Sequence, residues 1–144
     1  MEGLKKMDYK IENYILPKEY NELRASIGWD SKDEEVITEA LNNSVIVKKV
    51  LENGKVVGMA RAIGDGLYYL IVDVVVHNEY QGKGLGKILI NEIVKEVENR
   101  TKIGQKASIN LVSMKDKEEF YEKCGFRKIP FDYTGYGMIR RIEK

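Results

Sequence analysis

Apolar residues repeat along this chain with two periods, near 2 and near 3.6, and the switches between them mark out elements. Residues 9–14, Tyr-Lys-Ile-Glu-Asn-Tyr, alternate and predict a short first strand. Pro17 suits a first helical turn. Tyr20, Leu23 and Ile27 follow at helical spacing, predicting a helix over 17–27 that Gly28 stops. A second helix is expected over 31–42, with Ser31 as N-cap and Glu34 as its capping-box partner. Its buried stripe would be Val36, Ile37, Ala40 and Leu41. Segments 45–51 and 55–63 flank Glu52-Asn53-Gly54-Lys55, and Asn-Gly supplies the two positive-φ positions of a type I′ hairpin turn. Gly64-Asp65-Gly66 makes another tight turn into a strand over 67–77. That strand is Val- and Ile-rich almost throughout, which reads as burial on both faces. Asp73 is the one carboxylate inside it.

Further on, apolar or small residues at 86, 89, 90, 93, 94 and 97 give a clean stripe for a helix over 85–98. A strand is expected over 107–112 and a short helix over 117–123, ended by Gly125. Segments 126–129 and 137–142 should close as a terminal hairpin. The order β-α-α-β-β-β-α-β-α-β-β places antiparallel hairpins before one β-α-β crossover. The fold class is therefore α/β, a mixed, mostly antiparallel central sheet flanked by helices on both faces. No repeat, low-complexity stretch or linker divides the 144 residues, so one domain over 1–144 is expected.

Composition narrows the function. With 24 Lys+Arg against 23 Asp+Glu the net charge is +1, which argues against nucleic acid as the main partner. One Cys and one His allow neither an internal disulfide nor a Cys- or His-rich metal site, so no metal is expected. Residues 1–7 lack the apolar core of a signal peptide. No window approaches the ~20 apolar residues of a membrane span. A cytoplasmic protein with no membrane partner is the expectation.

The most informative stretch is Tyr80-Gln81-Gly82-Lys83-Gly84-Leu85-Gly86-Lys87, between a strand and an amphipathic helix. Glycines let the backbone approach a ligand closely. The unsatisfied N–H groups of a helix start add about half a positive charge. Together these make an anion cradle suited to a pyrophosphate, and Lys83 and Lys87 would deepen its potential. A Rossmann fingerprint starting at Gly82 needs glycine where Lys87 stands. A P-loop fails on spacing and on Ile88, which occupies the Mg²⁺-binding Ser/Thr position. What fits is Gln-x-x-Gly-x-Gly, at Gln81, Gly84 and Gly86. The segment Val-Val-Val-His-Asn-Glu-Tyr-Gln-Gly-Lys-Gly-Leu-Gly-Lys closely resembles the acetyl-CoA-binding motif of the GNAT N-acetyltransferase superfamily. Downstream, Phe120-Tyr121-Glu122-Lys123-Cys124-Gly125-Phe126 is similar to that superfamily's Phe-Tyr-x-x-x-Gly-Phe. The order of elements is also that of GNAT folds, so the resemblance covers nearly the whole chain.

The resemblance implies that the backbone of Gln81, Gly82, Lys83, Gly84, Leu85, Gly86 and Lys87 holds the pyrophosphate of acetyl-CoA. It implies too that the edge of Val74, Val75 and Val76 pairs with the pantetheine arm like an added strand. The strand over 107–112 must then diverge to leave that edge open. Tyr121 matches the family's general-acid tyrosine, with a core-packing role as its alternative. Asp73 is a candidate general base or ammonium binder, or equally a carboxylate paired structurally with an arginine such as Arg61. His77 is favoured for a surface role, and Cys124 is not expected to carry an acyl group. The acceptor end should involve Tyr20, Arg24, Trp29 and Tyr133, with Trp29 and Tyr133 either forming a wall or serving as core or dimer contacts; Asp132 is either an ammonium attractor or a turn former. The expected activity is acetyl-CoA-dependent acetylation of a primary amine on a small molecule, by direct transfer. A CoA-binding sensor without turnover and a protein or peptide acetyltransferase are the rivals. No acidic stripe marks a basic-peptide groove, which ranks the protein substrate lower. A homodimer stays open.

Overall fold

The structure is a computed structural model describing residues 8–144; residues 1–7, read above for a signal segment, lie outside the described residues. The chain forms two compact units, one ending at Leu111 and one running from Val112 to Lys144. The first contains a sheet of β1 (Tyr9–Glu12), β2 (Ile46–Glu52), β3 (Lys55–Gly64), β4 (Tyr68–Val76) and β5 (Ser108–Leu111), side by side in that order. Helices α1 (Pro17–Ser26) and α2 (Glu34–Asn42) lie between β1 and β2, and α3 (Leu85–Arg100) between β4 and β5. The first three strand pairs are antiparallel. β4 and β5 are parallel, as a crossover helix between neighbouring strands requires.

Local signals act where the sequence places them. Asn53 and Gly54 take φ values of 51° and 80°, turning β2 back onto β3. Gly28, at φ 82°, ends α1. Its N–H donates to the Ala25 carbonyl and that of Trp29 to Arg24, a Schellman closure. Helix α2, however, begins at Glu34 rather than Ser31. The Lys32 N–H and carbonyl are both taken by the Asn21 side chain, which holds that stretch extended. Asp33 supplies the cap instead, accepting from the Glu35 N–H at 2.9 Å. In the expected stripe Ile37 is buried, Ala40 and Leu41 are half-buried, and Val36 is exposed.

Strand β4 also departs from expectation. Tyr69, Ile71 and Val75 are buried but Tyr68 and Leu70 are exposed, so it is not covered on both faces. On one face Met59 of β3 and its β4 partner Val75 pack with Tyr20 and Leu23 of α1. On the other, Gly58 lets α3 come close: an added Cβ would lie 2.9 Å from Val50 Cγ1 and 3.2 Å from Leu89 Cδ1.

Two consecutive lysines of β2 are buried and tie the sheet to opposite faces. Lys48 Nζ donates to Asn13 and to Glu96 of α3, at 2.8 and 2.9 Å. Lys49 Nζ donates to Glu19 of α1 at 2.9 Å and sits 3.9 Å from the centre of the Tyr14 ring. Glu19 also accepts from the Leu16 N–H, capping α1.

In the second unit α4 (Glu118–Lys123) ends in another Schellman closure, with Gly125 at φ 93°. The Gly125 N–H donates to Glu122 and the Phe126 N–H to Tyr121. The expected terminal hairpin does not form: no strand is present in 126–144. Thr134 instead folds the chain locally onto Phe131, its hydroxyl accepting from the Phe131 N–H at 2.7 Å and its own N–H donating to the Phe131 carbonyl. Pro130 has no N–H to give a ladder. Met138-Ile139 followed by Arg140-Arg141 also breaks the alternation a half-buried strand needs.

Because Glu19 serves both as helix cap and as counter-ion to a buried lysine, Glu19→Ala should lower unfolding free energy by about 3 kcal/mol. Urea denaturation reads this as a lower midpoint at unchanged slope. A loss below about 1 kcal/mol contradicts the pairing.

Candidate active site

Strand β4 leads through a 3-10 turn, Asn78–Tyr80, into the glycine loop and α3. Gly82 and Gly84 have φ values of 79° and 83°, and an added Cβ at either would point into open space. The helix starts at Leu85, and its first internal bond runs from the Ile88 N–H to the Gly84 carbonyl. The N–H groups of residues 84–87 precede that bond and have no partner within the helix. The loop thus presents left-handed glycines, amides without a helical partner and the positive end of a 16-residue helix within one turn. Gln81 secures it, its Nε2 donating to the Val76 carbonyl at 3.1 Å. His77 caps the 3-10 turn through Nδ1, accepting from the Glu79 N–H, and meets Tyr80 edge-on, which is a structural role.

Lys83 is not a free cation beside this loop. Its ammonium lies 3.7 Å from Glu52 Oε2 and 4.9 Å from the centre of the Tyr80 ring, which Lys55 also approaches. Glu52 Oε2 is buried and accepts no hydrogen bond from the described residues. Glu52 lies at the hairpin end of β2, distant in sequence, and nothing in the sequence marked it.

The second feature is the edge of β4. Its parallel ladder with β5 ends at Ile71↔Leu111. From Val72 to Val76 no strand pairs with β4 on that side among the described residues, which is the open edge that pantetheine pairing requires. At the same point β4 bulges. Arg61 pairs with Val72 and Met59 with Val75, so Asp73 and Val74 together stand opposite Ala60. Asp73 takes φ 54°, a left-handed conformation that costs a non-glycine residue roughly 1 kcal/mol.

The Asp73 carboxylate turns toward α1, where three partners meet it. Tyr20 Oη donates to Oδ2 at 2.5 Å and Arg61 Nε to the same oxygen at 2.8 Å. Arg24 Nη1 lies 3.4 Å from Oδ1. Arg61 is braced by Ser44 and Arg24 by the Asp30 carbonyl. The Arg24 guanidinium also lies 5.1 Å from the Trp29 ring centre and 5.7 Å from that of Tyr20. Four candidate site residues from three parts of the sequence, Tyr20, Arg24, Trp29 and Asp73, therefore form one network. Burial, then the hydrogen bond to Asp73, pushes the Tyr20 phenol above its usual pKa, so it stays a donor at neutral pH.

Tyr121 and Tyr133 belong to the second unit. Tyr121 is half-buried on α4 between Phe120 and Phe126, with ring centres at 5.0 and 6.2 Å. Burial, and secondarily the neighbouring Cys124, raises its pKa above the ordinary phenol value, so it carries its proton at neutral pH. Tyr133 is exposed and stacks edge-on with Phe131. Asp132, at φ 30°, lies in the turn between Phe131 and Thr134, as a turn former does.

An amide cradle at a helix start adjoins an open strand edge, and the family follows from comparison with known proteins. The acetyltransferase (GNAT) domain family matches residues 42–128, a span containing both the loop and Tyr121. The chain is 35% identical over 122 residues to the uncharacterized N-acetyltransferase ycf52 of Pyropia yezoensis, covering 81% of this chain and 68% of that protein. It is 33% identical to the histone acetyltransferase TAP1 of Glycine max, covering 76% of this chain and 51% of that one. To the chloroplastic serotonin N-acetyltransferase 2 of Oryza sativa it is 30% identical, covering 83% of this chain and 60% of that one. Among solved structures, a probable acetyltransferase from meticillin-resistant Staphylococcus aureus superposes with a TM-score of 0.79 at 26% identity, covering 94% of this chain and all of that one. The chain belongs to the GNAT acetyltransferase family.

The loop geometry makes two predictions, both read by calorimetric titration with coenzyme A. Gly84→Val should abolish measurable binding, because it strains a left-handed residue and fills the cradle. Glu52→Gln should tighten binding by up to about fivefold by releasing Lys83, the 0.2–1 kcal/mol typical of a partly exposed ion pair. Weaker binding by Glu52→Gln contradicts that role for the pair.

Proposed function

We propose that this acetyltransferase uses acetyl-CoA to acetylate the primary amine of a small molecule, by direct transfer. The observation that carries the donor assignment is the pairing of the Gly82–Lys87 amide cradle with a β4 edge left open from Val72 to Val76. A pyrophosphate fits the cradle and an extended pantetheine amide arm fits the edge. Acetyl-CoA brings an activated thioester. The protein's tasks are to hold it, to stabilise negative charge on its carbonyl oxygen during attack, and to protonate the departing sulfur.

Backbone N–H groups of Val74–Val76 are the donors assigned to the oxyanion. Tyr121 is the assigned acid, since a phenol held above its usual pKa retains the proton that a thiolate leaving group needs. Tyr20, Arg24, Trp29 and Tyr133 are assigned to the acceptor side. The half-buried indole of Trp29 suits an amine on an apolar frame, in keeping with a relative named as a serotonin N-acetyltransferase. A protein amine is the second reading, supported by the similarity to a histone acetyltransferase at comparable identity.

Following free thiol released from acetyl-CoA against arylalkylamines, polyamines, amino acids, aminoglycosides and peptides separates these readings. Turnover with a small amine supports the proposal, and turnover with peptides alone overturns the acceptor class. Tight coenzyme A binding without turnover on any member identifies a sensor. With an active amine, Tyr121→Phe should lower kcat by about 10²-fold with little change in acetyl-CoA affinity. Because the Tyr121 pKa is raised, the acid is protonated below it and lost only as pH rises through it. The wild-type alkaline decline in kcat should therefore lie above the ordinary phenol range and vanish in the variant. An unchanged kcat profile removes Tyr121 as the acid.

A further inference from the structure

Asp73 is a carboxylate beside the open strand edge, and the obvious role for it is a base that deprotonates the amine. Its surroundings suit a different one. Both oxygens are engaged: Oδ2 accepts from Tyr20 and Arg61, and Oδ1 faces Arg24. The side chains of Arg24, Arg61 and Asp73 are only 12–14% exposed. A base needs an oxygen free to reach the amine, and both oxygens here already face partners from α1 and β3.

The backbone makes the positive case. Asp73 is the left-handed residue of the bulge, two positions beyond the last β4–β5 pair. The bulge shifts the alternation of β4 by one residue, which brings Val75 onto the α1 face opposite Met59 and redirects the peptide groups of Val74–Val76. The side chain is gripped from two rigid elements, α1 through Tyr20 and Arg24, and β3 through Arg61. Those grips are braced in turn by Asp30 and Ser44.

We propose that Asp73 is a positioning residue whose clamp by Tyr20, Arg24 and Arg61 locks the β4 bulge, aiming the Val74–Val76 backbone at the acetyl-CoA arm and thioester, and that it is not the base. The proposal rests on the acetyl-CoA reading above and adds to it a division of labour: the loop binds the phosphates, the clamp shapes the acyl end.

Asn, Gly and Ala at position 73 separate the two roles. Asparagine tolerates the left-handed conformation and keeps acceptor and donor atoms in the clamp. Glycine keeps the conformation alone, and alanine keeps neither. A positioning role predicts that the acetyl-CoA dissociation constant, measured calorimetrically, weakens in the order Asp73→Asn, Asp73→Gly, Asp73→Ala, by about tenfold for the last. It predicts that kcat falls in the same order and that the acidic limb of kcat/KM keeps its midpoint. A base predicts unaltered acetyl-CoA affinity, an equal and large loss of kcat in all three, and loss of the acidic limb; that result overturns the proposal. So does wild-type affinity and kcat in all three. Should Asp73→Ala not fold, Arg61→Gln repeats the test from β3, with weaker acetyl-CoA affinity, lower kcat and an unmoved acidic limb expected. A wild-type protein that releases no thiol with any amine sinks the acetyltransferase activity alone, because the order of dissociation constants reads the clamp without turnover.

Discussion

A β-strand inside a sheet has both edges occupied, and β4 gives up one of them halfway along. Up to Ile71 it is paired with β3 and β5; from Val72 onward it keeps only β3. Backbone groups left unpaired and shielded from water cost about 1–3 kcal/mol each, so such an edge persists only where solvent or a ligand can occupy it. The rest of the site is arranged around that break. The bulge at Asp73–Val74 begins just past it, the chain leaves β4 into the cradle formed by Gly82, Gly84 and α3, and Gln81 ties the cradle back to the Val76 carbonyl.

Electrostatics are handled locally rather than across the whole protein. A net charge of +1 coexists with a strongly positive helix start, because that potential comes from oriented amides. Lys83 adds little to it while Glu52 lies 3.7 Å away. The opposite arrangement holds on the α1 face, where one carboxylate serves two arginines and a tyrosine. The lysines of β2 follow the same logic: each is buried, and each meets a helix glutamate on its own face.

Residues whose meaning is local were readable from the chain. Asn53-Gly54, Gly28 and Gly125 adopt the positive φ that their turns and helix ends demand, and the loop glycines at 82 and 84 do likewise. What escaped depends on partners far away in sequence. In Leu-Ile-Val-Asp-Val-Val-Val nearly every residue is branched and apolar, so no change in alternation betrays the bulge, and Asp73 is legible only as an oddity. Lys48-Lys49 lies in an expected strand where nothing local shows that both side chains are buried against Glu96 and Glu19. Glu52 reads as turn flank until Lys83 arrives. The expected strands at 126–129 and 137–142 fail for a nearer reason, since Thr134 captures Phe131 and paired arginines interrupt the second run. The candidate site was half legible: its glycine loop at a helix start came through local motif chemistry, whereas the convergence of Tyr20, Arg24, Trp29 and Asp73 needed the fold.

In the proposed function the glycine loop and the open half of β4 act as one extended groove for coenzyme A. The most direct measurement follows the backbone amide resonances of the wild-type protein during titration with coenzyme A. A single groove predicts large, simultaneous shifts at Gly82–Lys87 and at Val74–Val76, with Tyr68–Ile71, whose edge is already paired to β5, largely unmoved. Binding that shifts the loop while leaving Val74–Val76 in place, or that shifts neither, contradicts it.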